Sequence, residues 1–529
     1  MTPSRAKRKF PQMVMDGLKY CSVFYEGQFD DARTNLAIAQ TAAREGASIA
    51  NYCNVVHLLH DENGKVCGAT VRDELSGESF DIKARGVLLC CGPFTDAVRK
   101  LEDPACRPAV DGARGVHIVL PGYFAPSNFG FVDMSTSDGR FMFFLPWEDH
   151  VLVGTTDHRT EPTMRPEPPE SEILWLLNES SKYLNPELKV RRQDVLSAWS
   201  GIRPLAVDPN ANPNRTASVS RDHVISHNRN TDLVFVSGGK WTTYREMAED
   251  AIDKVISVAG LTKAGKCNTL DIGLVGREGY TVNLPVRLVQ QYNIPYSVAA
   301  HLARAYGGRA HEVCDIVKEE EAAAAAARVR STGSKSPYES GGVTLLVSGY
   351  PYITAEVTYA TRHDWARHVE DVIARRTRLL FLNKEAAIVA VPKVLDIMAT
   401  ELKWSPDKRQ EEAIEAYKFI SHFGGSTPDT SQTLPRFAME ADIKHAFDVI
   451  DTDKDSKISY DELVKVGTAI GYQLSEEELA SCVHICDLDK NGLIEKEDFV
   501  NWWNSSHENP MLDTVKDRMA SSRDIEGSG

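Results

Sequence analysis

The stretch "VFVSGGKWTTYREMAED" (residues 234–250) runs from an apolar segment, Leu233-Val234-Phe235-Val236, through Ser237 into two glycines, a lysine and a helix-like stretch. Glycines after a buried strand let the backbone approach a ligand without a Cβ clash. Free N–H groups at the start of the following helix favour an anion or a negatively polarised atom. Lys240 adds a positive charge, and Thr242 and Thr243 can cap or hydrogen-bond. Taken alone, these residues leave two readings open. One is an anion or polar-ring site at a helix N-terminus; the other is a tight turn carrying a surface lysine.

The surrounding sequence supplies an α/β context. Residues 31–46, "DARTNLAIAQTAAREG", predict a helix, with Asp30 or Asp31 as cap and Gly46 as its close. "ASIANYCNVVHLL" predicts a strand, followed by two strands around the Ser76-Gly77 turn and a third apolar run, Val87–Cys91. Cys90-Cys91 are expected to pack at the end of that run. From 114 to 158 the pattern is β-rich: "GVHIVLP" reads as a strand, and Phe141–Leu145 and Val151–Gly154 as hairpin arms. Residues 170–184 and most of 283–423 read as helical. The Gly/Ser/Pro-rich stretch after the alanine run near 322–327 reads as a mobile loop.

With 529 residues, 42% hydrophobic and 26% charged, the chain has a globular composition and length for several domains. Its net charge of −15 argues against nucleic acid as a partner. No apolar run reaches the roughly 18–20 residues that span a bilayer. Ten cysteines without a CxxC argue against a disulfide framework or a zinc site. The basic start "MTPSRAKRKF" lacks the apolar core of a secretory signal.

A compact acidic module near the C-terminus carries the strongest motif. "DTDKDSKISYDE" (451–462) has the spacing of an EF-hand calcium loop. Calcium takes six to eight oxygens; Asp451, Asp453, Asp455, the Lys457 carbonyl and Glu462 fall on the ligand positions. In the sister loop "DLDKNGLIEKED" (487–498) these are Asp487, Asp489, Asn491, the Leu493 carbonyl and Asp498. Ser456 replaces the turn glycine of the first loop, and Asp498 the closing glutamate of the second, and either change weakens a site. Ile458 and Ile494 occupy matching positions, so the loops are expected to pair.

Seven further strings appear in one order: "DDARTNLAIAQTAAREGA", "GPFTDAVRK", "GVHIVLPG", "FFLPWED", "GTTD", "SGIRPL" and "SGGKWTTYREMAED". They resemble FAD-dependent glycerol-3-phosphate dehydrogenases, and "RRTRLLFLN" resembles that family's helical cap domain. The EF-hand pair narrows the resemblance to the mitochondrial, quinone-linked form. It spans roughly residues 10–505 and implies oxidation of glycerol 3-phosphate to dihydroxyacetone phosphate, with electrons passed to ubiquinone. It also implies peripheral association with the mitochondrial inner membrane, and a homodimer is kept among the expectations.

The resemblance places Gly92 and Pro93, Gly154-Thr155-Thr156-Asp157, and Gly238, Gly239, Lys240, Trp241 and Thr242 at the FAD. "CCGP" (90–93) stands where the family commonly has an Ala-Thr-Gly-Pro type of turn. The chemistry needs a base for the hydroxyl proton, a cation for the developing oxyanion and fixed positive charge for the phosphate. His117 is the candidate base, Arg203 and Lys240 line the catalytic and substrate pocket, and Arg221 is a further substrate candidate. Each has a plainer reading: His117 as a hydrogen-bonded strand histidine, Arg203 as a turn-fixing residue before Pro204, Arg221 as a surface ion pair.

No GxGxxG, the element that grips the ADP half of FAD, occurs in the sequence. The expected architecture is therefore an α/β flavoprotein with an incomplete dinucleotide-binding domain (1–100, returning at 206–262), a β-rich substrate domain (101–205) and an α-helical cap domain (263–423). A linker (424–438), an EF-hand pair (439–505) and a disordered tail (506–529) follow. An alternative function stays open at this stage: a non-catalytic calcium-binding protein derived from the enzyme.

Overall fold

The computed structural model describes residues 1–133, 136, 139–207, 222–332, 343–424, 454–455, 457–459 and 494–495. The chain divides into two compact units, Met1–Thr427 and Pro428–Gly529.

Within the first unit, β1 (Cys53–His60), β2 (Val66–Asp73) and β3 (Ser79–Lys83) form an antiparallel meander. Gly77, at φ +78°, makes the predicted turn between β2 and β3. The short β4 (Leu88–Leu89) belongs to another sheet, where it lies parallel to β12 (Val234–Ser237), and β12 pairs antiparallel with β11 (Val224–His227). The expected packing of Cys90-Cys91 is corrected. Strand alternation turns neighbouring side chains to opposite faces, so Cys91 follows buried Leu89 inward while Cys90 is exposed.

The largest sheet holds β5 (Val110–Pro121), β6 (Phe131–Asp133), β7 (Met142–Trp147), β8 (His150–Gly154), β9 (His158–Arg159) and β10 (Ser197–Ala206). Its order is β10-β5-β8-β7-β6, with β9 also on β5. The predicted hairpin is β7–β8, pairing Trp147 with His150. Glu148 and Asp149 both take positive φ there, +48° and +60°, the geometry of a two-residue turn matched to strand twist. One face of this sheet is apolar: Val116, Ile118, Leu120, Met142, Phe144, Val151 and Val153 pack against Ile173, Leu176 and Leu177 of the helix Glu170–Ser181. That leaves the alternate residues of β5, β8 and β10 on the opposite face.

Twelve α-helices are described: α1 (Pro3–Lys9), α2 (Asp31–Arg44), α3 (Thr95–Glu102), α4 (Glu170–Ser181), α5 (Tyr244–Val258), α6 (Leu284–Tyr292), α7 (Tyr296–Tyr306), α8 (Ala310–Thr332), α9 (Thr354–His363), α10 (Leu379–Leu382), α11 (Lys384–Leu402) and α12 (Pro406–Ser421). Asp30 caps α2 as predicted, accepting from the Arg33 amide at 2.9 Å, and Gly46 follows its end at φ +99°. The alanine run lies in α8, and the loop predicted after it falls mostly on residues 333–342, outside the described residues. The helices from α6 onward build a second core around Leu284, Leu288, Leu302, Val313 and Tyr359.

An ion pair joins α2 to this helical core. Arg33 donates to the fully buried Asp364 at 2.5 Å and to the Ala305 carbonyl at 3.0 Å, and its guanidinium lies over the Tyr306 ring at 4.2 Å. Gln40 donates to the other Asp364 oxygen at 2.8 Å. Removing one partner leaves the other charge buried and unpaired, which costs about 3–5 kcal/mol. We predict that Asp364→Ala lowers the denaturant midpoint of the first unit, followed by tryptophan fluorescence. A midpoint equal to that of the unmodified protein refutes this role.

Candidate functional site

Register brings the site together. Strand β4 runs parallel beside β12 with Leu88 against Val234 and Leu89 against Phe235. Continued by three residues, that register sets Gly92 beside Gly238. Both are positive-φ glycines, at +53° and +72°. Each leads through a short 3-10 turn, Gly92–Phe94 or Trp241–Thr243, into a helix, α3 or α5. Two helix N-termini thus lie at the carboxyl ends of two adjacent parallel strands, where open α/β sheets bind ligands.

The glycines differ in what surrounds them. A Cβ on Gly92 meets no atom within 4 Å. On Gly238 it meets the Ala206 Cβ and the Asp222 carbonyl at 2.7 Å, and on Gly239 the Met247 side chain at 2.4 Å. The close approach at Gly238 and Gly239 is therefore to the protein itself. Ala206 ends β10, so the Gly238 turn locks against the strand that carries Arg203.

On the open face of the large sheet, cross-strand pairing builds one row of side chains. Trp199 pairs with His117, His117 with Gly154, and Gly154 with Phe143. His117 stacks on Trp199 with centroids 5.7 Å apart and lies 5.6 Å from Phe143. Gly154 is necessarily a glycine, since a Cβ there meets the His117 ring at 2.6 Å and Phe143 at 3.0 Å. Beside this row the Arg203 guanidinium lies over Gly115, where a Cβ would approach it to 2.3 Å. Arg203 donates to the Thr155 hydroxyl at 2.8 Å and the Thr156 carbonyl at 3.4 Å, and sits 3.6 Å from Asp157.

The His117 Nδ1 is buried without a hydrogen-bond partner. Burial, and after it the Arg203 charge, push its pKa down to about 4. This histidine is neutral at physiological pH. The plainer reading, a strand histidine held by hydrogen bonds, does not describe that nitrogen.

Of the sequence candidates, His117, Arg203 and Thr155-Thr156-Asp157 form one cluster. Gly92-Pro93 and Gly238-Gly239 lie at the strand ends, and β10 touches both turns. Lys240 is exposed and forms no ion pair among the described residues; its carbonyl accepts from the Thr243 hydroxyl at 3.1 Å. Of the two roles open to the threonines, Thr243 takes the hydrogen bond: it stands at the N-cap of α5 without a side-chain cap, its hydroxyl turned back to the Lys240 carbonyl. Trp241 is 38% exposed beside Tyr244 and Phe29. Arg221 lies outside the described residues. A cavity of about 600 Å³ adjoins this region, lined by Phe29, which lies beside Trp241, by Trp147, which lies beside Trp199, and by Arg33, Arg304, Arg378 and others.

Sequence reading missed Trp199 and Glu172. Trp199 carried a signal: it lies four residues before Arg203 in one strand, hence on the same face. Glu172 carried none, since only the fold brings α4 beneath residues 154–157.

In the second unit the described residues give one element. Strand β13 (Lys457–Ile458) pairs antiparallel with β14 (Ile494–Glu495), setting Ile458 against Ile494 as the spacing predicted, and both isoleucines are buried. Asp455 accepts from the Lys457 amide at 2.8 Å. The ligand candidates Asp451, Asp453, Glu462, Asp487, Asp489, Asn491, Leu493 and Asp498 lie outside the described residues.

Three family matches tile the chain: FAD dependent oxidoreductase over residues 1–245, C-terminal domain of alpha-glycerophosphate oxidase over 267–409, and EF-hand domain pair over 440–503. The mitochondrial glycerol-3-phosphate dehydrogenase of Mesocricetus auratus is 42% identical over 511 residues, covering 94% of this chain and 68% of that protein. The Homo sapiens protein of the same name is 41% identical over 511 residues, with the same coverage of 94% and 68%. Among solved structures, a Bacillus halodurans glycerol-3-phosphate dehydrogenase complexed with FAD shares the fold at TM-score 0.67 and 24% identity, covering 82% of this chain and 80% of that one. With relatives 41–42% identical along 94% of its length, the chain belongs to the FAD-dependent glycerol-3-phosphate dehydrogenase family.

Proposed function

We propose that this protein oxidises sn-glycerol 3-phosphate to dihydroxyacetone phosphate and passes the electrons to ubiquinone, under tuning by calcium. The observation that carries the reading is the pairing of His117 with Arg203 on one sheet face, against the two glycine turns. The residues present fit a flavin ring: open space at Gly92, two adjoining helix N-termini, and buried polar atoms without partners on Ser237 and His117. Gly92, Pro93, the 154–157 segment and the 238–242 turn are the groups that would hold it. When bound, FAD supplies the acceptor for the hydride that leaves C2 of the substrate.

This chain's own residues do the rest. The neutral His117 has an acceptor nitrogen for the C2 hydroxyl proton, and its low pKa keeps that nitrogen free well below pH 7. Arg203 offers a fixed positive charge to the phosphate or the developing oxyanion. Exposed Lys240 is assigned to the phosphate as a movable second cation. Trp199, Phe143 and Trp147 wall the face and restrict water around the reacting carbon. Mitochondrial inner-membrane placement and a homodimer belong to the same reading, of which the names of the relatives support the mitochondrion. Peripheral contact with the bilayer is part of the same family-based reading; no helix among the described residues is long and apolar enough to cross a membrane.

We predict that His117→Asn lowers kcat by about 10²–10⁴-fold, the range for a positioned general base. Arg203→Ala should raise KM for glycerol 3-phosphate about tenfold or more. Quinone reduction followed at saturating and limiting substrate checks both. Activity within twofold of wild type in either variant sinks the corresponding role, and a purified chain with no flavin absorbance and no turnover supports the calcium-binding alternative.

The pH behaviour follows from the depressed His117 pKa. The unfolded value is about 6.5, so the unfolded chain binds more protons between roughly 6.5 and 4, and the folded state loses stability as pH falls through that window. Activity should therefore show no histidine-type decline between about pH 7.5 and 5.5. Replacing Arg203 with methionine should move the His117 titration upward in NMR spectra. An unshifted titration contradicts the arrangement.

For calcium, EF-hand sensors bind in the range of about 10⁻⁷–10⁻⁵ M. Chelation is expected to raise KM for glycerol 3-phosphate without changing the maximal rate. Equal rates at limiting substrate with and without calcium refute the regulatory reading.

A further inference from the structure

We propose that Glu172, a buried carboxylate on the far side of the sheet from the substrate face, is a positioning residue that sets where Arg203 sits. The inference rests on the reading that Arg203 binds the phosphorylated substrate. Glu172 lies in the first turn of α4 and is 6% exposed. One carboxylate oxygen accepts from the Thr156 hydroxyl; the other accepts from Arg114 at 2.5 Å and faces the His158 ring nitrogen at 3.3 Å. The Thr156 hydroxyl in turn accepts from the Val116 amide at 2.9 Å. Its donor and one acceptor position are thus both engaged, which fixes the side-chain rotamer and with it the backbone at 155–157.

That backbone is what Arg203 leans on. Its guanidinium donates to the Thr155 hydroxyl and the Thr156 carbonyl, next to Asp157. The connection runs from the Glu172 carboxylate to the Thr156 hydroxyl, through the Thr156 backbone, to the Arg203 guanidinium. Every link is a hydrogen bond or a covalent bond. Val116 and His117 are neighbours in β5, so the same anchor also pins the strand that carries the candidate base.

Arg114 supplies the internal control. It donates to the Glu172 oxygen that does not hold Thr156, and strand alternation puts it on the face opposite Gly115 and His117. A purely structural role for Glu172 predicts that losing Arg114 and losing Glu172 have the same consequences. A positioning role predicts that they differ.

The test uses the full chain with glycerol 3-phosphate as the probe, measuring KM, the calorimetric Kd and the melting temperature. Glu172→Ala should weaken substrate binding by about tenfold to a hundredfold, the range for losing a charge-assisted hydrogen bond at a binding group. Arg114→Ala should lower the melting temperature while leaving Kd and KM within twofold of wild type. The effects of Glu172→Ala and Arg203→Ala on Kd should be strongly non-additive, because both act through one guanidinium. Should the alanine variant not fold, Glu172→Gln serves in its place. The amide still accepts from Thr156 but presents no charge to Arg114, so its Kd should stay within about threefold of wild type while its melting temperature drops. An unchanged Kd in Glu172→Ala, additive effects, or a Glu172→Gln protein whose Kd rises tenfold or more overturns the proposal. If Arg203→Ala alone leaves Kd unchanged, it is the substrate role of Arg203 that fails, and the two failures are told apart.

Discussion

The parallel pairing of β4 with β12 is the constraint on which the rest of the site depends. Only two pairs of residues are in register, yet that register sets Gly92 and Gly238 side by side. Positive φ at both positions turns the chain sharply out of the sheet and into a short 3-10 turn, then a helix. The result is a shelf of backbone N–H groups from two helices, at one edge of one sheet. Ala206 packs against the same turn, so the large sheet is keyed to this shelf through the strand bearing Arg203. A slip of one residue would flip the faces of β12 and separate the glycines.

The large sheet works by a division between its faces. Its apolar side is spent on α4 and the core around Val116, Ile118 and Phe144. The other side is released to carry His117, Trp199, Phe143 and Arg203. Two glycines make that face usable. Gly154 makes room for the histidine ring and Gly115 for the guanidinium, so both functional groups lie flat against the sheet. Flat placement has an electrostatic consequence. A neutral imidazole and a permanent cation share one low-polarity surface, and the cation disfavours protonation of the imidazole.

Much of this was legible in the sequence, for identifiable reasons. The hairpin at Trp147–His150, the Asp30 cap and the pairing of Ile458 with Ile494 all follow from local rules about turns, caps and loop spacing. The strand-end glycines were legible as a break from an apolar run into a helix. Their reason was not, because the atoms crowding Gly238 and Gly239 come from Ala206, Asp222 and Met247, remote in sequence or known only once α5 is placed. Cys90 shows a smaller failure of the same kind. An apolar run suggests burial throughout, while a strand buries alternate residues. Glu172 was invisible because a glutamate in the first turn of a helix is explained by the helix alone.

Buried polar contacts join the helical core to the N-terminal segment that carries α2 and β1. Arg33 with Asp364 and Tyr52 with Asp371, at 2.5 Å each, span segments more than 300 residues apart. Both carboxylates are nearly or fully buried, and Arg376 donates to the Asp364 carbonyl from the same side. Buried pairs of this kind add little net stability over an apolar contact of equal size, but they tolerate only one alignment, since any other leaves a charge without its partner. They suit a joint whose purpose is orientation. In this fold the orientation matters because α2 is capped by Asp30, whose chain neighbour Phe29 lies beside Trp241 of the glycine turn. The ion pairs that seat α2 on the helical core therefore also set the wall of the candidate site nearest Lys240.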